Sequence, residues 1–326
     1  MFTHKDIENR TIFVLNCIDS NRRLRVKDGG LMFEELYGDN HKTLTKFPFQ
    51  KILALFVIGP ISITTPLIDK CKQFGIALVV MKSNLRPTFV WANHAEANYL
   101  LRKRQFNYPK ESIDIAKHLV LNKLTNQKGN LIRTRKRDDV TTKAISHCDA
   151  ALNSIDDICE YEKLLGLEGN VSKEYFAAYF QTLDWKGRHP RIKCDIVNLT
   201  LDIGYTILFN YMESFLRMFG FDIYVGVYHR LWFKRKSLVC DLIEPFRCII
   251  DHTILLAFHR GQFKTSDFVK TKHIYKLRHD RYMDYYRIFY GALIEHKTDF
   301  FQFVQKYYRC FMGCKSVFTY PTFIYK

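Results

Sequence analysis

Ile52-Leu53-Ala54-Leu55-Phe56-Val57-Ile58 is an unbroken apolar run, and Gly59-Pro60 follows it. A helix with one face in water would interrupt such a run every three or four residues, and a half-exposed strand at every second residue. Seven apolar residues ended by turn chemistry predict a strand buried on both faces. Similar signals surround it. Thr11 to Leu15 is rich in β-branched and aromatic residues, and Arg23-Leu24-Arg25-Val26 alternates polar with apolar. Asp28-Gly29-Gly30 supplies a turn before Leu31-Met32-Phe33. Ile76 to Met81 and Thr88 to Trp91 complete six strand candidates, with one short helix expected near Pro66 to Phe74.

Beyond about Asn93 the period changes, and apolar residues recur at three and four. Helices are expected over Ala95–Phe106, Ile113–Leu124, Lys143–Leu164, Lys173–Gln181, Asp195–Phe219, Glu244–His259 and His273–Tyr308. The fold class is therefore α+β: a small β-rich domain over 1–92 and a larger, all-helical domain over 93–326. The longest uncharged stretch, Ile52 to Ile68, is broken by prolines and too short to cross a bilayer. With no export signal at the N-terminus, a cytoplasmic chain without membrane attachment is expected. The nine cysteines are scattered and read as reduced thiols, not as a disulfide framework.

Lysine and arginine total 50 against 33 acidic residues, a net charge of +17. That excess favours polyanionic partners, of which nucleic acid is the commonest. The charge is clustered: Arg102 to Lys143 holds twelve basic and four acidic residues. Lys234-Arg235-Lys236 and the stretch from Lys270 to Arg281 add to it, interleaved with Trp232, Phe233, Tyr275 and Tyr282. Basic side chains over phosphates, with aromatics beside them for stacking, suit DNA grooves or frayed ends.

Two segments carry candidate chemistry. On a helix, Glu168 shares a face with Leu164, Leu165, Val171 and Tyr175. A carboxylate there must hold a metal ion or pair with a buried basic group; the segment alone leaves both open. Gly169 beside it leaves room for another backbone or a phosphate. In the second segment, His229 precedes a basic loop and then Asp241 and Glu244. Pro245 belongs in a first helical turn, so both acids are expected near a helix start. A lone histidine is commonly a hydrogen-bonded structural residue, but one imidazole with two or three carboxylates is a mixed N/O set that suits Mg²⁺ or Mn²⁺.

Five blocks in order resemble the CRISPR adaptation integrase family, proteins that insert spacer DNA into CRISPR arrays. They are Leu164-Leu-Gly-Leu-Glu-Gly-Asn170; Gly187-Arg188; Asp195-Ile-Val-Asn198 running into Gly204-Tyr-Thr-Ile-Leu208; Gly226-Val-Tyr-His229; and Ser237-Leu-Val-Cys-Asp-Leu-Ile-Glu-Pro-Phe-Arg247. Lys51 to Met81 is similar to that family's β domain. The resemblance implies a sandwich-like β domain used for dimerisation and a catalytic helical domain. It implies metal ligands Glu168, His229 and Glu244, with Asp241 supporting, and Mg²⁺ or Mn²⁺ as cofactor. Many members carry aspartate where Glu244 stands, and a glycine-rich turn where this chain has the basic and aromatic residues 230–236. Implied partners are double-stranded DNA (spacer precursor and CRISPR repeat), a homodimer or dimer of dimers, and a small companion adaptation subunit. Candidate phosphate contacts are Arg188, Lys234, Arg235, Lys236 and Arg247. The implied reaction is attack of a DNA 3′-hydroxyl on a target phosphodiester. The same site using water would be an endonuclease, and a non-catalytic DNA-binding protein is the remaining alternative.

Overall fold

The computed structural model describes residues 4–326 except 19–20, 93–97, 110–112, 135–137, 184, 186, 231 and 273. The helix start expected at Ala95, the basic residues Arg135 to Arg137 and the helix start expected at His273 lie outside the described residues. The chain divides into two compact units. One comprises Met1–Lys103, Glu213–Asp222 and Ile294–Gln305; the other comprises Arg104–Met212, Ile223–Leu293 and Lys306–Lys326.

The first unit begins with helix α1 (His4–Asn9) and carries seven strands among its described residues: β1 (Thr11–Asn16), β2 (Arg22–Lys27), β3 (Gly30–Tyr37), β4 (Asn40–Pro48), β5 (Ile52–Ile58), β6 (Ala77–Met81) and β7 (Pro87–Trp91). All seven residues of β5 are buried, as the unbroken apolar run predicts. β5 lies inside a four-stranded sheet of order β1-β5-β6-β7, parallel to both β1 and β6, and β7 runs antiparallel at the edge. Parallel neighbours need a crossover, which helix α2 (Thr65–Phe74) provides between β5 and β6. Pro66 sits in its first turn, and Gly75 ends it at φ 65°. A second sheet, β2-β3-β4, is antiparallel. Leu24, Leu31, Phe33 and Phe47 from this sheet share one apolar core with Leu55, Val57, Leu78 and Val80 of the other and with Leu67 and Cys71 of α2. β4 went unread in the sequence because Asn40 to Lys46 are all exposed, which leaves no apolar alternation to recognise.

The helices that follow are α3 (Tyr99–Phe106), α4 (Asp114–Ile132), α5 (Asp139–Ser154), α6 (Tyr161–Tyr179), α7 (Ile196–Phe219), α8 (Ser237–Ile243), α9 (Arg247–His259), α10 (Tyr282–Glu295) and α11 (Lys297–Met312). The expectation of an all-helical second part is corrected by an antiparallel hairpin, β8 (Phe268–Thr271) with β9 (Ile274–Leu277). That hairpin takes the start of the stretch expected as one helix to Tyr308, and α10 and α11 divide the rest around His296. The helix expected over Lys143–Leu164 is likewise two, separated by a 3-10 turn at Ile155–Asp157 and residues 158–160. Asp156 and Asp157 favour that break, since short acidic side chains compete for backbone donors. No helix among the described residues is long and apolar enough to cross a membrane, and all nine cysteines are free thiols.

Candidate metal centre and nucleic-acid interface

The site is built within the second unit. On α6, Leu164, Val171 and Tyr175 are buried, which turns the same face of the helix, with Glu168, inward. Glu168 is partly covered, its side chain 18% exposed, while Gly166, Gly169 and Asn170 beside it are open to solvent. Among the described residues no other backbone approaches Gly169: a Cβ built there meets nothing within 4 Å. The room the glycine leaves is open space.

Glu244 arrives from a different direction. α8 and α9 would form one helix but for Pro245, and the chain passes through a 3-10 turn at Glu244–Phe246. Glu244 therefore stands at a helix start as expected, whereas Asp241 lies one turn earlier, within α8. The Glu244 side chain is 4% exposed, and its Oε1 accepts from Arg247 Nη2 at 2.9 Å. Burial by itself would raise this carboxyl, but the Arg247 and Lys123 charges outweigh it and hold it at about 2.

Lys123 of α4, which the sequence reading did not single out, joins the two glutamates. Its ammonium donates to Glu168 Oε1 and lies 2.8 Å from Glu244 Oε2, an ion pair whose angles fall short of a hydrogen bond. Ser172, one turn after Glu168, donates to the same Oε1 at 3.0 Å. Burial would lower the Lys123 ammonium, yet the Glu168 and Glu244 charges more than offset it, so it is raised and stays charged. Of the two readings open for Glu168, the buried basic partner is present in the structure.

His229 and Asp241 form the third side. Asp241 is fully buried, and its carboxylate accepts four hydrogen bonds. Val227 N and Tyr228 N reach Oδ2 at 2.7 and 3.0 Å; His229 N and Nδ1 reach Oδ1 at 2.8 and 2.7 Å. Both lone pairs of both oxygens are then used, so the supporting metal-ligand role expected of Asp241 gives way to a positioning one. An ionised carboxylate only accepts, so Nδ1 carries the proton and Nε2 is left as the ligand or acceptor atom. Gly226 is required for this cage: a Cβ there would lie 2.4 Å from Asp241 Oδ2 and 2.9 Å from the Ser237 carbonyl carbon. Tyr228 packs its ring against His229 and Tyr161, and its buried hydroxyl has no hydrogen-bond partner among the described residues. Burial, with the Glu168 and Glu244 charges nearby, raises its pKa.

Among the described residues, no three His, Cys, Asp or Glu side chains form a ready-made metal cluster. Glu168 and Glu244 do converge on one cation, the Lys123 ammonium, and His229 is close enough to bear electrostatically on Glu244. Two carboxylates meeting around a positive charge, with an oriented imidazole nearby, fit a hard divalent ion such as Mg²⁺ or Mn²⁺.

The candidate phosphate contacts divide. Arg188 donates to Asn198 Oδ1 and Asp202 Oδ1, both at 2.9 Å, and lies over the Tyr205 ring. Arg247 holds Glu244 and stacks on Tyr205 at 4.6 Å. Both guanidinium groups have internal partners that fix their planes, with further N–H donors beyond those bonds. Lys234 and Arg235 are exposed, as are Trp232 (77%) and Phe233 (82%), and Lys236 is half-buried at the start of α8. This loop separates His229 from α8 and presents basic and aromatic groups together.

A strand-rich unit and a helical unit of this kind are shared with solved structures at TM-scores above 0.7. A casposase bound to its integration product matches at 0.76, with 18% identity over 96% of this chain and 94% of the other. A Cas1 protein from Thermotoga maritima matches at 0.72, with 15% identity over 92% of this chain and 97% of the other. A Cas6-RT-Cas1–Cas2 complex also matches at 0.76, this chain spanning only 36% of the longer one. The fold is thus one that Cas1 proteins and a casposase share. The chain belongs to the family of CRISPR associated protein Cas1, whose model matches residues 16–289. Among curated relatives, a CRISPR-associated endonuclease Cas1 of Thermodesulfovibrio yellowstonii is 27% identical over 68% of this chain and 74% of its own length. Another, from Thermus thermophilus, is 26% identical over 82% of this chain and 81% of its own length.

Proposed function

We propose that this Cas1-family chain joins the 3′-hydroxyl ends of double-stranded DNA to phosphodiesters of a CRISPR repeat, using one site built on Glu168, His229 and Glu244. The observation that carries the reading is the convergence of Glu168 and Glu244, from separate segments, on one cation beside an imidazole whose Nε2 Asp241 leaves available. A divalent ion held by these three side chains would polarise the scissile phosphate and lower the pKa of the attacking hydroxyl.

The rest of the work falls to the chain itself. Asp241 fixes the tautomer and plane of His229. Arg247 and Ser172 fix one oxygen each on Glu244 and Glu168. The buried Tyr228 hydroxyl has no acceptor among the described residues, and a phosphate oxygen entering the site would satisfy it. Residues 232–236 would hold backbone phosphates and stack on exposed bases, keeping two DNA ends near one site, the proximity on which phosphoryl transfer depends. The likeness to Cas1–Cas2 complexes favours a small companion subunit of the Cas2 kind, and the strand-rich unit is the proposed dimer contact.

Hydrolysis by the same site is the second reading, favoured by the name endonuclease that the curated relatives carry. Short duplexes ending in 3′-hydroxyl or 3′-deoxy nucleotides, offered with a supercoiled target and Mn²⁺ or Mg²⁺, separate the two. Joining predicts covalent products from the 3′-hydroxyl duplex alone. Nicked target formed equally with both duplexes, and no joined product, would favour hydrolysis.

A further inference from the structure

The charges around Glu168 and Glu244 already balance. Two carboxylates face two cations, the Lys123 ammonium and the Arg247 guanidinium. A divalent ion added to that set would bring two further positive charges into a largely buried space, where Coulomb energies are several-fold larger than in water. One resident cation has to yield. Arg247 is poorly suited to leave, since its guanidinium is stacked on Tyr205 at 4.6 Å. Lys123 is the better candidate: a compact ammonium on a flexible stem, placed between the two carboxylates, hydrogen-bonded to Glu168 and paired with Glu244 through charge alone.

The backbone of Lys123 is held firmly even though its stem is flexible. Asn126 Nδ2 donates to Pro245 O at 2.9 Å, and Asn130 Nδ2 donates to Cys248 O at 3.1 Å, tying α4 to the chain just after Glu244. Asn122 exchanges hydrogen bonds of 2.7 and 2.9 Å with the Phe323 backbone. These asparagines, one per turn, fix the helix from which Lys123 reaches the carboxylates.

We infer that Lys123 is a built-in counter-cation, which holds Glu168 and Glu244 together while no metal ion is bound and competes with the metal ion for them. The inference rests on the reading of Glu168, His229 and Glu244 as a divalent-ion site. Its consequence is a site that stays assembled without metal, at the expense of weaker metal binding.

The test is calorimetric titration of Mn²⁺ into the full-length wild type, Lys123→Met, Lys123→Arg and Glu168→Ala, with melting temperatures measured without metal. Lys123→Met should bind Mn²⁺ about tenfold tighter or more, the size of effect expected when a competing charge is removed. Without metal it should melt on the order of 5 °C lower, since two buried carboxylates lose their shared partner. Lys123→Arg keeps a cation and should bind no tighter than wild type. Unchanged or weaker Mn²⁺ binding by Lys123→Met, with Glu168→Ala impaired, overturns the inference and leaves the metal site standing. Wild type that binds no Mn²⁺, or Glu168→Ala that binds as well, removes the metal site and the inference together. Should Lys123→Met not fold, the wild type still decides: acylation of the Lys123 amine, read by peptide mass spectrometry, should rise severalfold on Mn²⁺ loading, and no rise contradicts competition.

Discussion

Asp241 and Asp251 show how differently two fully buried aspartates can be used. Asp241 accepts from three backbone N–H groups and the His229 ring, so it shapes the approach of 227–229 as much as the imidazole. Asparagine keeps the size but turns an NH₂ towards donors that need an acceptor. Asp241→Asn is therefore expected to lower the joining rate about 10- to 100-fold, the usual effect of losing a ligand's supporting partner, with DNA affinity nearly unchanged. Single-turnover rates beside binding isotherms check it; equal losses in both would mean the fold had failed. Asp251 accepts from the Tyr175 and Tyr205 hydroxyls at 3.0 and 2.5 Å, and burial pushes its carboxyl up to about 6 while the hydroxyls and Arg247 pull it back. Because the folded value lies above the unfolded one, its contribution to stability is complete below about pH 3.8 and is lost as pH rises through 6. Glu244 works in the opposite sense: held at about 2, its contribution is present above pH 4.5 and lost as pH falls through 2. Between pH 5 and 7.5 the Glu244 contribution is constant, while His252, its imidazole lowered by burial, adds an effect of opposite sign that wild type and Asp251→Asn share. Relative to Asp251→Asn, wild type should lose on the order of 1 kcal/mol of unfolding free energy over that range. Urea denaturation at the two pH values measures the difference, and parallel curves for the two proteins would refute it.

Elements were legible wherever one stretch of chain carried its own signal. The β5 run, the alternation in β2 and the glycine and proline punctuation of α2 each specify local structure without help from afar. The hairpin β8–β9 was misread because each strand has only four residues, too few to separate period two from the neighbouring helical period. Glu168, His229 and Glu244 stood out as candidates because a sequence block carried each of them. Lys123 did not, for its partners lie on α6 and before α9, and nothing near it in sequence announces a buried ammonium. The loop 232–236 was read correctly as basic and aromatic, and the structure adds its exposure. Reversing Lys234, Arg235 and Lys236 to glutamate should weaken DNA binding across sequences, since phosphate contacts carry little sequence information. The slope of log affinity against log salt should become shallower by about 2 to 3, near 0.9 for each phosphate lost. Filter binding from low to moderate salt reads that slope. An unchanged slope would place the DNA elsewhere on this net-positive chain.

At the scale of the molecule, two-ended joining needs more than one copy of the chain. Joining one DNA segment at both ends requires two active sites at a fixed separation, and the chain carries one Glu168–His229–Glu244 set. A two-fold contact through the strand-rich unit is the proposed arrangement, that symmetry being the commonest among homo-oligomers. Light scattering at micromolar concentration should give the mass of a dimer, about twice 38.8 kDa; a strict monomer, free and with DNA, would leave only single-ended joining. Glu168, His229 and Glu244 are proposed to form one metal-dependent joining site. The most direct measurement compares wild type with Glu168→Ala for covalent joining of a 3′-hydroxyl duplex to supercoiled target, with Mn²⁺ and with chelator. Joined product from wild type in Mn²⁺ alone, and none from the variant despite near-normal DNA binding, is the predicted result. Joined product from Glu168→Ala at the wild-type rate, or from wild type in chelator, would contradict it.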